Sequence, residues 1–144
     1  MKTIKIELLT DQNELKSYLN EVDMDFETPL SNKTDIAAFS TKIIDNGNVY
    51  AVKENNKISA IICFYCNDYI ENKAHLPILS TKKEARGKGY ARLLINEMTK
   101  LCKEKEMKYI YCDSVNPIAI SLYKSLGFIE YKKENNKIYL KLNL

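Results

Sequence analysis

The 144-residue sequence has little of several features that would point to a special class of protein. It contains no tryptophan, one histidine, three prolines and four glycines, and its formal net charge is only +3. So small a charge does not indicate nucleic-acid binding. No apolar run has the length of a membrane span, and residues 1–5 lack the pattern of a signal peptide. We therefore expect a cytoplasmic protein with neither nucleic acid nor membrane as a partner.

Four cysteines are present, but their placement does not favour a metal centre or disulfides. Cys63 and Cys66 have C-x-x-C spacing, yet both lie in an apolar stretch that predicts a strand. Residues three apart on a strand point to opposite faces and cannot easily share a metal ion. Cys102 lies in a predicted helix and Cys112 in a later predicted strand. We expect buried free thiols and no metal.

The chain has no linker or low-complexity tract that would divide it. Apolar residues make up 45% of the sequence, which is enough for one sizeable core, so we expect a single domain over residues 1–144. The periodicity predicts a strand, two helices, a hairpin, a strand, a helix, a strand, a helix and a closing hairpin. The second helix is predicted over residues 34–45. Asn55 and Asn56 predict a tight hairpin turn, because asparagine tolerates positive φ.

Two of the few glycines lie in residues 84–91, Glu-Ala-Arg-Gly-Lys-Gly-Tyr-Ala, between a predicted strand and a predicted helix. Gly87 and Gly89 allow the loop to curl. The first N–H groups of a helix have no intrahelical partner, so several donors can converge on an anion there. Arg86 and Lys88 would add positive charge, and we expect a diphosphate as the ligand. A surface turn that only starts the helix is the alternative interpretation.

The predicted strand before this loop, residues 74–81, contains two unusual residues. Pro77 removes one ladder donor, which indicates a strand edge, a bulge or a place where strands part. His75 is the one histidine of the chain, and its unperturbed pKa suits proton transfer near neutral pH.

Residues 116–128 form the second informative segment, Asn-Pro-Ile-Ala-Ile-Ser-Leu-Tyr-Lys-Ser-Leu-Gly-Phe. Its first two residues suit a helix N-cap and the first helical position, and its glycine suits the residue after a helix end. Ile118, Leu122 and Leu126 are predicted to form a core stripe. Ala119 and Tyr123 lie four apart and therefore share a helix face. Helix capping and core packing leave these two residue types unexplained.

Together the two segments resemble the GNAT superfamily of acyl-CoA-dependent N-acetyltransferases. The resemblance covers about residues 74–128 and has two parts in order, R-G-x-G-x-A and then N-x-x-A-x-x-x-Y-x-x-x-G-F, with one strand between them. Glu84 stands where the family often has Gln or Arg. The resemblance implies an α+β fold in three layers, α/β/α. Its central sheet would be mixed and mostly antiparallel, with splayed fourth and fifth strands and about four helices.

The resemblance also implies acetyl-CoA as cosubstrate and no metal. The diphosphate would lie on the glycine loop, and the pantetheine arm would lie between the splayed strands. A tyrosine corresponding to Tyr123 points at the sulfur and would protonate the departing thiolate as a general acid. A main-chain N–H near Leu79 would stabilise the developing oxyanion. The implied cofactor-binding residues are Leu79, Ser80, Thr81, Arg86, Gly87, Lys88, Gly89, Tyr90, Ala91, Asn116, Ala119 and Tyr123.

The general base and the acceptor are less defined by the sequence. His75 is the first candidate for the base, with Asp68, Glu71 and ordered water as alternatives. In this family the acceptor is usually recognised by the first two helices, their connection and the final hairpin. The acidic connection here, with Asp23, Asp25 and Glu27, would attract a cationic amine, and a solvated acidic loop is the alternative.

The favoured function is acetyl transfer to a primary amine of a small molecule. A peptide or protein N-terminus or lysine is the rival acceptor. A non-catalytic acyl-CoA-binding module is a third interpretation, and the presence of Tyr123 and Asn116 argues against it. A nucleotide-binding domain is the fourth, but the loop lacks the P-loop and three-glycine dinucleotide patterns. Either a monomer or a homodimer is expected.

Overall fold

A seven-stranded sheet runs through the middle of the protein, and helices cover both of its faces. The computed structural model describes residues 3–144. The strands are β1 (Ile4–Leu8), β2 (Asn48–Glu54), β3 (Lys57–Asp68), β4 (Lys73–Thr81), β5 (Tyr109–Ser114), β6 (Ile129–Glu134) and β7 (Lys137–Asn143). The α-helices are α1 (Gln12–Val22), α2 (Ile36–Asn46), α3 (Tyr90–Glu104) and α4 (Pro117–Ser125).

The strands are ordered β1-β2-β3-β4-β5-β7-β6, and all neighbours are antiparallel except β4 and β5, which are parallel. The parallel pairing joins only residues 73–75 to residues 109–111. Both strands continue beyond these pairs, so they separate and leave a gap in the sheet. The predicted mixed sheet with splayed fourth and fifth strands is thereby confirmed.

Pro77 lies at a β-bulge where this separation begins. Cys63 of β3 pairs with Ile78 of β4, and the next pair is Tyr65 with His75. β3 therefore advances by two residues where β4 advances by three, so β4 contains one extra residue. Proline cannot donate to a ladder, so it is tolerated where pairing is interrupted. The extra residue reverses the alternation of side chains: Leu76 packs on the α3 side of the sheet, and Ile78 on the opposite side. A bulge and a parting of strands were both among the predicted outcomes.

Two hydrophobic cores lie on the two faces of the sheet, as the predicted three-layer α+β fold requires. On one face, α1 and α2 contribute buried residues such as Leu15, Leu19 and Ile43. On the other face, α3 contributes residues such as Leu94 and Met98, and α4 packs at the edge of the same core. The apolar face of each helix therefore packs against the sheet.

Local signals set the helix and hairpin ends. The Asp11 carboxylate caps α1 by accepting from the N–H groups of Asn13 and Glu14. Asp35 caps α2, which therefore begins at residue 36 and not at the predicted residue 34. Asn55 and Asn56 both have positive φ, 52° and 67°, in the tight turn between β2 and β3. The predicted hairpin turn is confirmed.

The predicted core stripe of α4 is wrong at Ile118, which is 82% exposed. The residues of α4 that face the core are Ala119, Leu122, Tyr123 and Leu126. These follow the i, i+3, i+4, i+7 spacing of one helix face, and Ile118 lies about 90° from the centre of that face.

All four cysteines are free and buried, as predicted. Cys63 lies in the core under α1 and α2, whereas Cys66 lies in the core under α3, where its Sγ is 3.5 Å from Cys102 Sγ. Within residues 3–144, no group of three or more His, Cys, Asp or Glu side chains is arranged to hold a metal ion. None of the helices in the same range is long and apolar enough to cross a membrane.

Gly47 ends α2 at a close approach to the sheet. A β-carbon at this position would lie 2.7 Å from the carbonyl oxygen of Phe64, which is backbone of β3. Because the sheet cannot easily yield, we expect Gly47→Ala to lower the free energy of unfolding by about 1–3 kcal/mol. Urea denaturation measures this loss. The matched control is Asn46→Ala, at the exposed last residue of α2, and equal stabilities of the two variants would contradict the prediction.

Candidate active site

The gap between β4 and β5 is bordered by the glycine loop, which leads into α3. Gly87 and Gly89 have φ values of 81° and 82°, in the left-handed region that favours glycine. A β-carbon at either position would meet no atom within 4 Å, so the space above the loop is open. Gly89 is the N-cap of α3 and offers no side-chain acceptor. The N–H groups of residues 90–92 therefore have no partner within the helix and can bind an anion.

Glu54, at the end of β2, ties this loop to the sheet. Its Oε2 accepts hydrogen bonds from the Tyr90 hydroxyl at 2.7 Å and from the Lys88 ammonium at 2.9 Å, while its Oε1 accepts one from the Ser59 hydroxyl at 2.6 Å. Sequence reasoning missed Glu54, because more than thirty residues separate it from the loop. The side chains of Lys88 and Tyr90, both predicted to bind cofactor, thus have partners within the protein. The main chain of the loop faces the open space.

Two arginines, the only ones in the chain, lie at the surface near this loop. Arg86 was predicted as a site residue, and its Nε donates to the Thr81 carbonyl oxygen at 3.4 Å. Arg92, in the first turn of α3, was not predicted; its Nη2 donates to Ser125 Oγ at 3.4 Å. Its place in the first helical turn could have marked it, since that turn carries the unpartnered N–H groups.

The edge of β4 presents main-chain groups to the gap. The Lys82 N–H donates to the Ser59 carbonyl oxygen at 2.9 Å. This bond shows which residue pairs of the antiparallel ladder between β3 and β4 are hydrogen-bonded. Bonded and non-bonded pairs alternate in such a ladder. Ser80 therefore bonds to β3, and the main-chain groups of Leu79 and Thr81 point toward the gap.

The Ser80 side chain is also engaged away from the gap. Its Oγ lies 3.0 Å from the hydroxyl of Tyr18, which reaches across from α1, and burial raises the pKa of Tyr18. Of the three residues predicted on β4, Leu79 thus offers its N–H and carbonyl groups to the gap, and Thr81 offers its N–H, since its carbonyl oxygen accepts from Arg86 Nε. Ser80 instead fixes the strand to its neighbours.

The start of α4 borders the other side of the gap. Asn116 caps the helix through its Oδ1, which accepts from the Ile118 N–H at 2.9 Å. Among residues 3–144, its amide nitrogen Nδ2 has no hydrogen-bond partner and can donate to a ligand. Ala119, one turn before Tyr123, is half-buried and keeps this face of the helix narrow.

Tyr123 is only 5% exposed and packs its ring at 5.3 Å from the ring of Phe128. Burial raises the pKa of its phenol well above the ordinary value, and the acidic groups of Cys112 and Asp113 raise it further. The phenol therefore remains protonated at neutral pH and can donate a hydrogen bond.

His75 is paired with Tyr111 at the last position before β4 and β5 part. A cavity of about 400 Å³ opens there, lined by residues of both strands. Partial burial lowers the pKa of His75 from its usual value; the Asp113 carboxylate opposes this shift and the Lys73 ammonium adds to it. The imidazole is therefore mainly neutral at pH 7 and can accept a proton.

The alternative bases are engaged in the turn that precedes β4. Asp68 accepts from the N–H groups of Ile70 and Glu71, at 3.2 and 3.0 Å. Glu71 pairs with Lys73 at 2.6 Å. Both carboxylates therefore stabilise the turn, whereas His75 faces the cavity.

The acidic connection after α1 is only partly solvated: Glu27 is exposed, whereas Asp23 and Asp25 have partners within the protein. Asp23 is buried, and its carboxylate accepts from both the N–H and the hydroxyl of Ser31. These bonds hold the pKa of Asp23 below its usual value. Asp25 pairs with Lys83 at 3.3 Å. The expectation of three acids available to a cationic acceptor is therefore wrong for Asp23, and Asp25 has a partner in the protein.

Several known proteins are similar to this chain. A 74-residue stretch is 35% identical to an uncharacterized N-acetyltransferase of Dictyostelium discoideum; it covers 46% of this chain but only 34% of that relative. The PaiA N-acetyltransferase of Thermoplasma acidophilum, solved in complex with coenzyme A, superposes with a TM-score of 0.78 at 16% identity, over 99% of each chain. The ribosomal-protein-S18-alanine N-acetyltransferase of Escherichia coli gives the same TM-score and identity, over 98% of this chain and 94% of that one.

At these identities the solved structures establish the fold alone. Residues 14–128 match the family model described as the acetyltransferase (GNAT) family. This range includes the glycine loop, the parted strands and the whole of α4, and it covers most of the sequence. The chain belongs to the acetyltransferase (GNAT) family.

Proposed function

We propose that this protein transfers an acetyl group from acetyl-CoA to the primary amine of a small molecule, by direct attack of the amine. The observation that carries the proposal is the gap between β4 and β5. Unpartnered main-chain donors and two arginines lie at the glycine loop, and α4, which carries the protonated phenol of Tyr123, packs beside β5. A thioester joined to a diphosphate by an extended arm suits this arrangement.

The residues present fit acetyl-CoA at both ends. The N–H groups of residues 90–92 and the guanidinium of Arg86 would hold the diphosphate. Main-chain groups of Leu79 and Thr81, with Nδ2 of Asn116, would bind the amides of the pantetheine arm. When bound, acetyl-CoA supplies the acetyl group as an activated thioester.

The protein's own part in the chemistry is to move protons and to stabilise charge. In the transfer a nitrogen–carbon bond forms, the carbon–sulfur bond breaks, and an ammonium nitrogen loses two protons. His75 takes the first proton, which leaves the amine nucleophilic, and passes it to solvent. Tyr123 protonates the departing sulfur and regains a proton from the nitrogen. The N–H of Leu79 would stabilise negative charge on the carbonyl oxygen.

The rival acceptor is a peptide or protein. It is supported by one neighbour of the same fold, which is named for the alanine of a ribosomal protein. The 400 Å³ cavity at His75 favours the small molecule, because its volume is typical of small-ligand pockets. The remaining alternative is an acyl-CoA-binding module without catalysis. The effect of Tyr123→Phe on turnover distinguishes this alternative from the proposal.

Tyr123→Phe tests the proposed proton donor. We expect kcat to fall by about 10²-fold or more, because the phenylalanine cannot protonate the thiolate. The affinity for acetyl-CoA should change little, since the ring is retained. Thiol release measures kcat, and calorimetry measures affinity. Phe128→Leu alters the packing partner of this ring and is the control for a packing effect; unchanged kcat in Tyr123→Phe would remove the phenol from the mechanism.

The pH dependence tests His75. Its lowered pKa predicts that the base is lost by protonation only below pH of about 6.5, whereas the raised pKa of Tyr123 keeps the acid protonated through the neutral range. We expect the ratio of kcat/KM between wild type and His75→Gln to rise with pH and then level off. Ionisation of the amine is common to both proteins and cancels in this ratio. A ratio that is independent of pH would exclude His75 as the base.

Arg86→Gln tests the proposed diphosphate end. We expect the affinity for CoA to fall by about 5- to 10-fold at low ionic strength and by less at high ionic strength, because salt screens the lost attraction. Lys100→Gln makes the same change of charge at an exposed position later in α3 and should leave the affinity unchanged. Isothermal titration with CoA measures both. Equal losses in the two variants would show a general effect of net charge.

A further inference from the structure

The cavity beside His75 has a wall made of tyrosine rings. We define the tyrosine cavity by Tyr111 of β5, Tyr131 of β6 and Tyr139 of β7, together with His75 and Asp113, which also line it. The rings of Tyr111 and Tyr131 meet edge to face at 5.7 Å, and those of Tyr131 and Tyr139 lie 6.3 Å apart. This wall offers flat aromatic surface to a ligand. Lysine ammonium groups already lie over two of its rings: Lys73 Nζ is 5.4 Å from the centre of the Tyr111 ring, and Lys132 Nζ is 4.9 Å from that of Tyr139.

The wall is accessible because the helices do not cover this part of the sheet. The buried core under α1 and α2 takes its strand residues from β2, β3 and β4 alone. On the other face, Ile110, Cys112 and Leu140 are buried under α3 and α4. The alternate residues of β5 and β7, which include Tyr111 and Tyr139, therefore face outward where helix cover ends.

One carboxylate stands in this wall. Asp113 lines the same cavity as His75, the proposed base. Its ion pair with Lys137 spans 3.8 Å between Nζ and Oδ1, which is longer than a hydrogen bond. By contrast, the Lys73 ammonium at the cavity edge is bound by Glu71 at 2.6 Å. The Asp113 carboxylate is thus less tightly paired than the Lys73 ammonium.

The position of Lys137 shows where an ammonium group can lie. Its Nζ is near the Asp113 carboxylate and 6.0 Å from the centre of the Tyr139 ring, which is the geometry of a cation over an aromatic face. An acceptor that carries one ammonium group would make the same contacts and would compete with this side chain.

We infer that the tyrosine cavity is the acceptor site and that the acceptor is a small primary amine on a flat, apolar body. The ammonium would lie against Asp113 and the body against Tyr131 and Tyr139. This inference rests on the proposed function, and it narrows the acceptor class. Polyamines are disfavoured, because a second ammonium would meet Lys73 or Lys137 and would have no further carboxylate in the cavity wall.

The first test is binding, measured by saturation-transfer NMR with 2-phenylethylamine in the presence of CoA. We expect saturable binding in which Asp113→Asn weakens affinity by about tenfold, since the ammonium loses its counter-ion. Lys137→Met should instead strengthen affinity severalfold, because it removes the competing ammonium. Lys141→Met makes the same change of charge over the Tyr109 ring, outside the cavity, and should have no effect. If Asp113 and Lys137 had only structural roles, the two substitutions would not change the affinity in opposite directions.

The second test replaces a ring. Tyr131→Leu should weaken binding of 2-phenylethylamine, whereas Tyr109→Leu, on the same face of β5 but outside the cavity, should not. The two substitutions remove the same group from the same sheet face. Equal losses in both variants, or no loss in Tyr131→Leu, would overturn the inference.

A third measurement separates this inference from the proposed function. Acetyl transfer to 2-phenylethylamine and to spermidine is compared at equal concentration. Preferred transfer to spermidine would overturn the tyrosine cavity as acceptor site and leave the proposed function standing. Specific binding of 2-phenylethylamine without transfer to any amine would support the cavity and overturn the proposed function. Preferred transfer to 2-phenylethylamine, lost in Asp113→Asn, supports both.

Discussion

The parting of β4 from β5 is the constraint on which the rest of the site depends. Parallel pairing ends at His75, and the bulge at Pro77 follows immediately. A sheet normally satisfies its main-chain groups by pairing, so groups at a parting must find another partner. The edge of β4 beyond the bulge therefore has unpaired donors and acceptors in a position that an extended ligand can occupy. The same bulge places Leu76 and Ile78 on opposite faces, which keeps both cores closed around the opening.

The two ends of this opening are built differently. At the glycine loop, the main chain carries the binding capacity, and Glu54 stabilises the loop through Tyr90 and Lys88. A carboxylate near the proposed diphosphate site would repel the ligand if it were unpaired, but the Glu54 carboxylate is in contact with the Lys88 ammonium group. Away from the loop, the groups proposed to act on the substrates are side chains: a buried phenol, an imidazole and the tyrosine wall. Burial favours the neutral forms of the Tyr123 phenol and the His75 imidazole, so the proposed acid and the proposed base owe their protonation states to the same cause.

Features with a local cause could be predicted from the sequence, and features made by distant residues could not. Positive φ at Asn55 and Asn56 and the interruption at Pro77 follow from residues within a turn or a strand. Glu54 beneath the glycine loop could not be foreseen, because its contacts join residues far apart in the chain. The error at Ile118 has a similar origin: several helix faces of α4 are apolar, and only tertiary packing decides which one is buried.

The difference between local causes and contacts of distant residues explains why family membership indicates the acetyl donor more clearly than the acceptor amine. Main-chain donors at a helix start and a parted strand require only glycine at positive φ and a bulge, which many sequences can supply. Chains that are 16% identical to this one share its fold over nearly their whole length. The proposed acceptor site would depend instead on outward side chains of β5, β6 and β7, where any residue that suits a strand preserves the fold. Those positions can vary without loss of the core, so the acceptor specificity that we propose would depend on the tyrosines and Asp113.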